Sequence, residues 1–364
     1  IELPMNRWNS IRRMMSPPKI PPIMANLPST ISIVIPSYNG APCLKKNLES
    51  IKSLNNLNEI ELVIVDNLST DSTLSIIKSY ENDINIKLIK NDFNEGFAGA
   101  CNSGVINSEG EFVFITNQDV LFPSDFFTKL MSIYYKVKKS SEIVISPALI
   151  FETGRIHYFG AKNHFLGFSY TPEVGEPLPK NVIIKRTQRF SGGTLFIKKD
   201  FFLKMGGFYK QFFMYYEDTD LSLKMLRNGV KIYTTNDPFL IHQKKFQTLN
   251  DLQYYFLERN RFIVLIRNIE NIYKLIPFMI IVEVILLFHA FFINKFKLRL
   301  KVYQDLIFNH KQLQILREES KKEGLLLSYK KLSKDLDPIL LGKMKKFNVF
   351  RILLTLLNKI LNLA

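Results

Sequence analysis

Three carboxylates crowd into four residues at Glu217, Asp218 and Asp220, directly after the aromatic run Phe212-Phe-Met-Tyr-Tyr216. Mutual repulsion and partial burial raise a carboxyl's pKa, which suits it to take a proton from a substrate hydroxyl. Helix capping competes with this reading: Asp218 or Thr219 could be an N-cap, with Asp220 in a first turn where the macrodipole favours an acid. A second set, Asn117-Gln-Asp119, offers one carboxylate able to hold a hard cation such as Mg2+ or Mn2+. No GxGxxG or Walker segment follows any strand described below, which disfavours a dinucleotide dehydrogenase or an NTPase. Phosphates in such a site would need neutralising by a metal instead.

The elements that must position these groups begin at residue 30. Short β-branched runs alternate there with helical stretches at the spacing of βα units. Strands are expected at 31–35, 61–65, 86–89 and 112–115, with helices at 44–54, 72–80 and about 98–106. This alternation predicts an α/β fold, a mostly parallel sheet with helices on both faces. Polar residues sit where each strand should end: Ser37, Tyr38 and Asn39, then Asp66 and Asn67, then Asn94, then Asn117 and Asp119. Ligands of open α/β sheets bind beyond these carboxyl ends, although the same residue types cap helices. Beyond Ser146 the alternation weakens into a loop-rich stretch with Gly160, Gly167, Pro172, Gly175, Pro177 and Pro179, read as an acceptor or lid region. A second patterned block follows, with a strand over 191–197, a short helix at 201–205, and a helix carrying Leu221, Met225 and Leu226 that stops at Gly229.

Taken in order, Pro36-Ser-Tyr-Asn39, Val65-Asp-Asn67, Asn94-Glu-Gly-Phe-Ala98 with Asn102 and Gly104, Asn117-Gln-Asp119, Ser191-Gly-Gly193 and Glu217-Asp218 resemble family 2 glycosyltransferases, most closely the rhamnosyltransferase-like branch. The resemblance runs from about residue 31 to about residue 261. It implies a GT-A fold, a nucleotide-sugar donor and inversion at the anomeric carbon. By that likeness Pro36, Tyr38 and Asn39 line the nucleotide and Asp66 contacts base or ribose. Asn94 and Gly96 form the turn over the donor, and Asn117 and Gly192 join the donor set. Asp119 matches the last residue of a DxD-type metal motif, and His242 sits where relatives place a histidine near the diphosphate, a candidate metal ligand. Asp218 resembles the base, with Glu217 a candidate for positioning the acceptor. The chain departs from the pattern at Asn117, an amide in place of the motif's first carboxylate, so its metal site carries one charge fewer. Glu258-Arg-Asn-Arg261 closes the resemblance, and Arg259 and Arg261 could meet a phosphate or lie on a solvated helix surface.

The 364 residues carry a net charge of +16 with 46% hydrophobic and 23% charged side chains, which rules out disorder as the main state. Residues 294–364 hold sixteen Lys or Arg against six Asp or Glu, so the excess lies mostly at that end. Cys43 and Cys101 are the only cysteines, too few for a disulfide framework, which suits a reducing compartment. Residues 1–29 read as a basic, Pro-rich tail rather than an export signal. The expected organisation is this tail, a catalytic domain over 30–262, hydrophobic membrane-associated helices over 263–293, and a cationic amphipathic helical region over 294–364.

Leu275 to Ile293 is just long enough to cross a bilayer, but it contains Glu283 and His289, and basic residues flank both of its ends. The positive-inside rule then favours both flanks on the cytoplasmic side, hence a re-entrant or in-plane helix. Phe350, Leu353, Leu354, Leu357, Ile360 and Leu361 form an apolar stripe beside Lys345, Lys346, Arg351 and Lys359, which fits an anionic membrane surface or packing on the protein or a second subunit. Nucleic acid is a poor partner, because no binding motif accompanies the charge. The functional expectation is an inverting enzyme of polysaccharide biosynthesis on the cytoplasmic face of the cell membrane, peripheral or monotopic, acting on a glycan or lipid-linked acceptor. A polyprenyl-phosphate sugar synthase leaves Glu217-Asp218 without a task. An inactive nucleotide-sugar-binding scaffold would account for Asn117. A processive synthase lacks its QxxRW motif here, since Trp8 is the only tryptophan.

Overall fold

A computed structural model describes residues 30–243 and 249–326. The basic tail and the 350–361 stripe lie outside the described residues.

Strands β1 (Ile31–Ser37), β2 (Ile60–Asp66), β3 (Ile86–Lys90) and β4 (Phe112–Thr116) form a parallel half-sheet in the order β3-β2-β1-β4. β1 and β4 are buried on both faces, as continuous β-branched and aromatic runs require. The connecting helices are α1 (Ala41–Lys52), α2 (Thr73–Lys78) and α3 (Gly96–Asn107). α3 lies close against β1 and β2 because a Cβ at Gly104 would strike the Val34 side chain.

The second half is mixed. After β5 (Val120–Leu121) and α4 (Phe126–Val137) come β6 (Ile143–Phe151), β7 (Ile156–Tyr158), the small pair β8 (Lys162–Asn163) and β9 (Ser169–Tyr170), and β10 (Ile184–Arg186). β11 (Thr194–Lys198), α5 (Lys199–Lys204), α6 (Glu217–Arg227) and β12 (Lys231–His242) follow. These complete a 10-stranded sheet whose order continues β4-β11-β6-β12-β10. β11 is antiparallel to both its neighbours, while β12 runs parallel to β6. The predicted parallel alternation therefore describes one half and stops at β11.

Two elements fall outside the expected set, and the second of them carries regular structure past Ser146. α4 buries Phe126, Phe127, Leu130, Met131 and Tyr134 at helical spacing; Phe126 and Phe127 meet Phe114 edge-on, and Phe126 meets Phe122 the same way. β6 is buried along its whole length, and its Ser146-Pro147 step hid a strand that has no polar face to alternate with.

The chain then forms α7 (Asp251–Asn268), α8 (Ile276–Phe292), α9 (Phe296–Phe308) and α10 (His310–Lys322). α7 opens on a capping box in which Asn250 and Gln253 each accept the other's backbone N–H, at 2.9 and 3.1 Å. It runs unbroken across the expected boundary at 262. Arg261 is a correction: at 1% exposure it lies neither on a solvated face nor free for a phosphate. It pairs with Glu283 of α8, which also accepts from Arg299 Nη2 of α9 at 2.5 Å and Tyr303 Oη at 2.8 Å. Glu258 completes this interior group, 3.1 Å from Arg299 Nη1. The opposite face of α8 is apolar and open, with Phe288 67% and Phe292 69% exposed. Residues 272–292 are long and apolar enough to cross a membrane.

Candidate active site

The carboxyl ends of β1, β2 and β4 converge on one polar rim. Gln118 ties two of them together: its Oε1 accepts from Ser37 Oγ at 2.6 Å and Tyr38 N at 3.2 Å, and its Nε2 donates to the Tyr38 carbonyl at 3.2 Å. Asn39 holds a left-handed backbone at φ 47 and accepts from Thr70 N at 2.9 Å. Asp66 is buried, accepts from Ser69 N at 3.2 Å, and keeps its Oδ1 without a hydrogen-bond partner among the described residues. Pro36 pairs with Val65 inside the sheet, so its contribution is to the backbone course that presents Ser37 and Tyr38. Tyr38 is 48% exposed, an aromatic face open for stacking.

Asn94 accepts from Gly96 N at 2.8 Å in a turn that needs φ 71 at Gly96. A Cβ at Gly96 would collide with the carbonyl and ring of Phe213. This close approach joins the α3 turn to the aromatic run ahead of the carboxylates, and Ala98 N donates to the Phe213 carbonyl at 3.1 Å.

At the end of β4, Asp119 is buried and lies 3.5 Å from His242 Nε2. β12 delivers His242 there because it pairs with Val120 of β5 across the sheet. The His242 ring stacks at 4.9 Å on His157, a residue outside the expected set. Burial, with the neighbouring His242, pushes the His157 imidazole down to about 4, so it is neutral at physiological pH. One carboxylate and one imidazole are donors that suit a divalent cation with most of its coordination left to oxygens from outside the protein. They do not make a dedicated cage, and no group of three metal-ligating side chains occurs among the described residues. Asn117 abuts Gly193, where a Cβ would come within 2.9 Å of the amide nitrogen.

The Ser191-Gly-Gly193 turn bridges from Asn117 to the carboxylates. Gly192 N donates to Asp218 Oδ2 at 3.2 Å, and Arg189 Nη1 donates to the same oxygen at 2.5 Å. The expectation that crowding lifts the pKa of a single carboxylate cluster is corrected in detail, because the three acids have separate environments. Asp218 is paired with Arg189. Asp220 accepts from Arg267 Nε at 3.1 Å and Asn268 Nδ2 at 2.7 Å, which assigns it to packing against α7. Glu217 is the carboxyl that burial, with the adjacent Asp218 charge, raises well above its ordinary range. The N-cap of α6 is Tyr216, not Asp218 or Thr219, so capping does not occupy Asp218; all three acids sit in the favourable first turn.

The approach to α6 is strained, with Phe213, Tyr215 and Tyr216 at φ 64, 64 and 73. Non-glycine residues held there cost about 1 to 3 kcal/mol each unless their surroundings impose it. Asn260 supplies that constraint from α7: its buried Nδ2 lies 2.9, 2.8 and 2.9 Å from the carbonyls of Phe212, Met214 and Tyr215. Asn260→Asp keeps the shape but replaces the donor with oxygen facing three carbonyls. We expect kcat to fall by roughly 10²-fold, the cost of a displacement of about 1 Å, with donor affinity unchanged. Single-turnover rates beside calorimetric donor binding check this; equal losses in both would make Asn260 a donor-site residue instead.

Residues 32–206 match the family model described as glycosyl transferase family 2. The poly(ribitol-phosphate) beta-N-acetylglucosaminyltransferase TarS of Staphylococcus aureus is 34% identical over 90 residues, which is 24% of this chain and 16% of that protein. An uncharacterized glycosyltransferase of Haemophilus influenzae is 27% identical over 229 residues, covering 61% of this chain and 71% of that one. The solved mannosyltransferase PcManGT from Pyrobaculum calidifontis, in complex with GDP-Man and Mn2+, superposes with a TM-score of 0.50 at 15% identity over 99% of this chain and 94% of that one, a likeness of fold.

Proposed function

We propose that this chain, whose residues 32–206 match glycosyl transferase family 2 and whose fold is GT-A, moves a sugar, with inversion, from a nucleotide-diphosphate donor to a hydroxyl of a glycan acceptor carried on a lipid. The observation that carries this reading is the convergence of Asn117, the Gly192-Gly193 turn and Asp218 at the carboxyl ends of the sheet. Tyr38, Asn39 and Asp66 receive the nucleoside, and Asn94 and Gly96 close the turn over it. Asp218 takes the proton of the acceptor hydroxyl as its oxygen bonds to the anomeric carbon. The anomeric carbon–diphosphate bond breaks, and the nucleoside diphosphate leaves with the electron pair. Glu217, favouring its protonated form beside Asp218, positions the acceptor by donating a hydrogen bond. Asp119 and His242 would hold Mg2+ or Mn2+, and such a cation stabilises charge on the departing diphosphate.

We assign the acceptor to the flank of the site next to Arg189. A cavity of about 520 Å3 lined by Phe159, Lys185, Arg186 and Gln188 opens next to the segment leading to Arg189. Membrane attachment rests on the open face of α8, bordered by the exposed Tyr273, Lys274, Lys297 and Lys301, a pattern of aromatic and basic residues suited to an anionic cytoplasmic surface. The rhamnosyl donor rests on sequence resemblance alone.

Radiolabelled nucleotide sugars presented to membranes holding the full chain test the reading. Label from one donor should enter organic-extractable lipid, and a chelator should lower it. Donor binding with no product from any donor would favour an inactive scaffold.

A further inference from the structure

The proposed base is engaged in this structure. Asp218 Oδ2 accepts from both Arg189 and Gly192 N, and Oδ1 accepts from Thr219 Oγ1 at 3.2 Å. A carboxylate so occupied is poorly placed to take an acceptor proton. The backbone around Arg189 is fixed: its carbonyl accepts from Tyr158 Oη at 2.8 Å, Ser191 N donates to Ser146 Oγ at 3.0 Å, and Thr116 Oγ1 donates to the Gly193 carbonyl at 2.8 Å. The side chain has spare capacity, because its buried Nε has no hydrogen-bond partner among the described residues. Arg189 also lies beside the turn that joins the two halves of the site: Gly193 abuts Asn117, and Gly192 N shares Asp218 Oδ2 with the Arg189 guanidinium.

We propose that Arg189 is a latch that the donor opens. With no donor, its guanidinium holds Asp218; when a nucleoside diphosphate enters, the guanidinium turns its N–H groups to the phosphate oxygens and frees Asp218. This rests on the reading of Asp218 as base and of the donor as a nucleoside diphosphate sugar. A guanidinium matches diphosphate oxygens in a bidentate fork, and the diphosphate offers more negative charge than one carboxylate. Acceptor deprotonation then waits for the donor, which guards against loss of the proton or the sugar to water. When the bond to the diphosphate breaks, Arg189 is already beside the oxygen that gains charge.

The latch makes an unusual prediction: removing the base should strengthen diphosphate binding. Calorimetry on the detergent-solubilised full chain with UDP, GDP and dTDP, and with the matching nucleosides, would compare wild type, Asp218→Asn, Arg189→Gln and the double variant. We expect Asp218→Asn to bind its preferred diphosphate about tenfold more tightly and Arg189→Gln about tenfold more weakly. The double variant should match Arg189→Gln, and nucleoside affinities should not change. Arg189→Lys, which retains charge without the fork, should fall between and serves if Arg189→Gln fails to fold. An unchanged affinity in Asp218→Asn overturns the latch. So does a gain that persists in the Arg189→Gln background, since that would be simple charge removal. No binding of any diphosphate by wild type would overturn the donor reading itself, and full transfer by Asp218→Asn would overturn the base reading.

Discussion

Asp218→Asn lowers kcat for transfer by about 10²- to 10⁴-fold, the range by which a positioned general base accelerates proton transfer, while the nucleoside diphosphate still binds. The amide keeps the volume and can still accept from Gly192 N, so the first turn of α6 should hold its shape. What it loses is the basic oxygen. Glu217 is a poor substitute, because burial beside Asp218 raises its pKa and its Oε2 has no hydrogen-bond partner among the described residues. Without the Asp218 charge Glu217 ionises more readily, so residual activity should come from that carboxyl and vanish in the double variant Glu217→Gln/Asp218→Asn. Rapid-quench transfer rates at saturating donor measure this. A kcat within threefold of wild type would move the base elsewhere.

Glu283→Gln lowers stability by about 3 to 5 kcal/mol, the cost of leaving buried charge uncompensated. Arg261 and Arg299, each 1% exposed, would be left to share Glu258. The sign of the effect also distinguishes two membrane arrangements. If α8 lies in the interface with Glu283 against α7 and α9, the substitution destabilises. If α8 left those helices to span the bilayer, Glu283 would be an ion in hydrocarbon, and an uncharged amide would favour insertion. Denaturation midpoints of the full chain in lipid nanodiscs, wild type against Glu283→Gln, give the direction.

Most of the parallel half of the sheet and its polar rim were legible because β1, β2 and β4 are dense in β-branched and other apolar residues and stop at Ser37, Asp66 and Thr116. What escaped are side chains whose meaning depends on distant partners. Arg189 sits in an irregular segment with no period, and it acquires a role through the turn that β4 and β6 hold beside α6. His157 gives no local cue to its stacking on His242, since β7 meets the rim only through pairing with β6. Asn260 and Arg261 read alike as polar helix residues, yet one pins the strained aromatic run and the other enters the interior charge group. Glu283 in an apolar stretch suggested only an expensive crossing, and its two arginine partners lie on other helices.

On the proposed reading, this chain inverts the anomeric centre of a sugar as it moves it from a nucleotide diphosphate to an acceptor, with Asp218 as base. The most direct measurement incubates the full chain in membranes with each labelled nucleotide sugar and reads the anomeric configuration of the product by NMR, beside the Asp218→Asn chain. One donor should give product of the opposite anomeric configuration, and the variant should give almost none. A product that retains the donor's configuration, or an equal yield from the variant, would contradict the account.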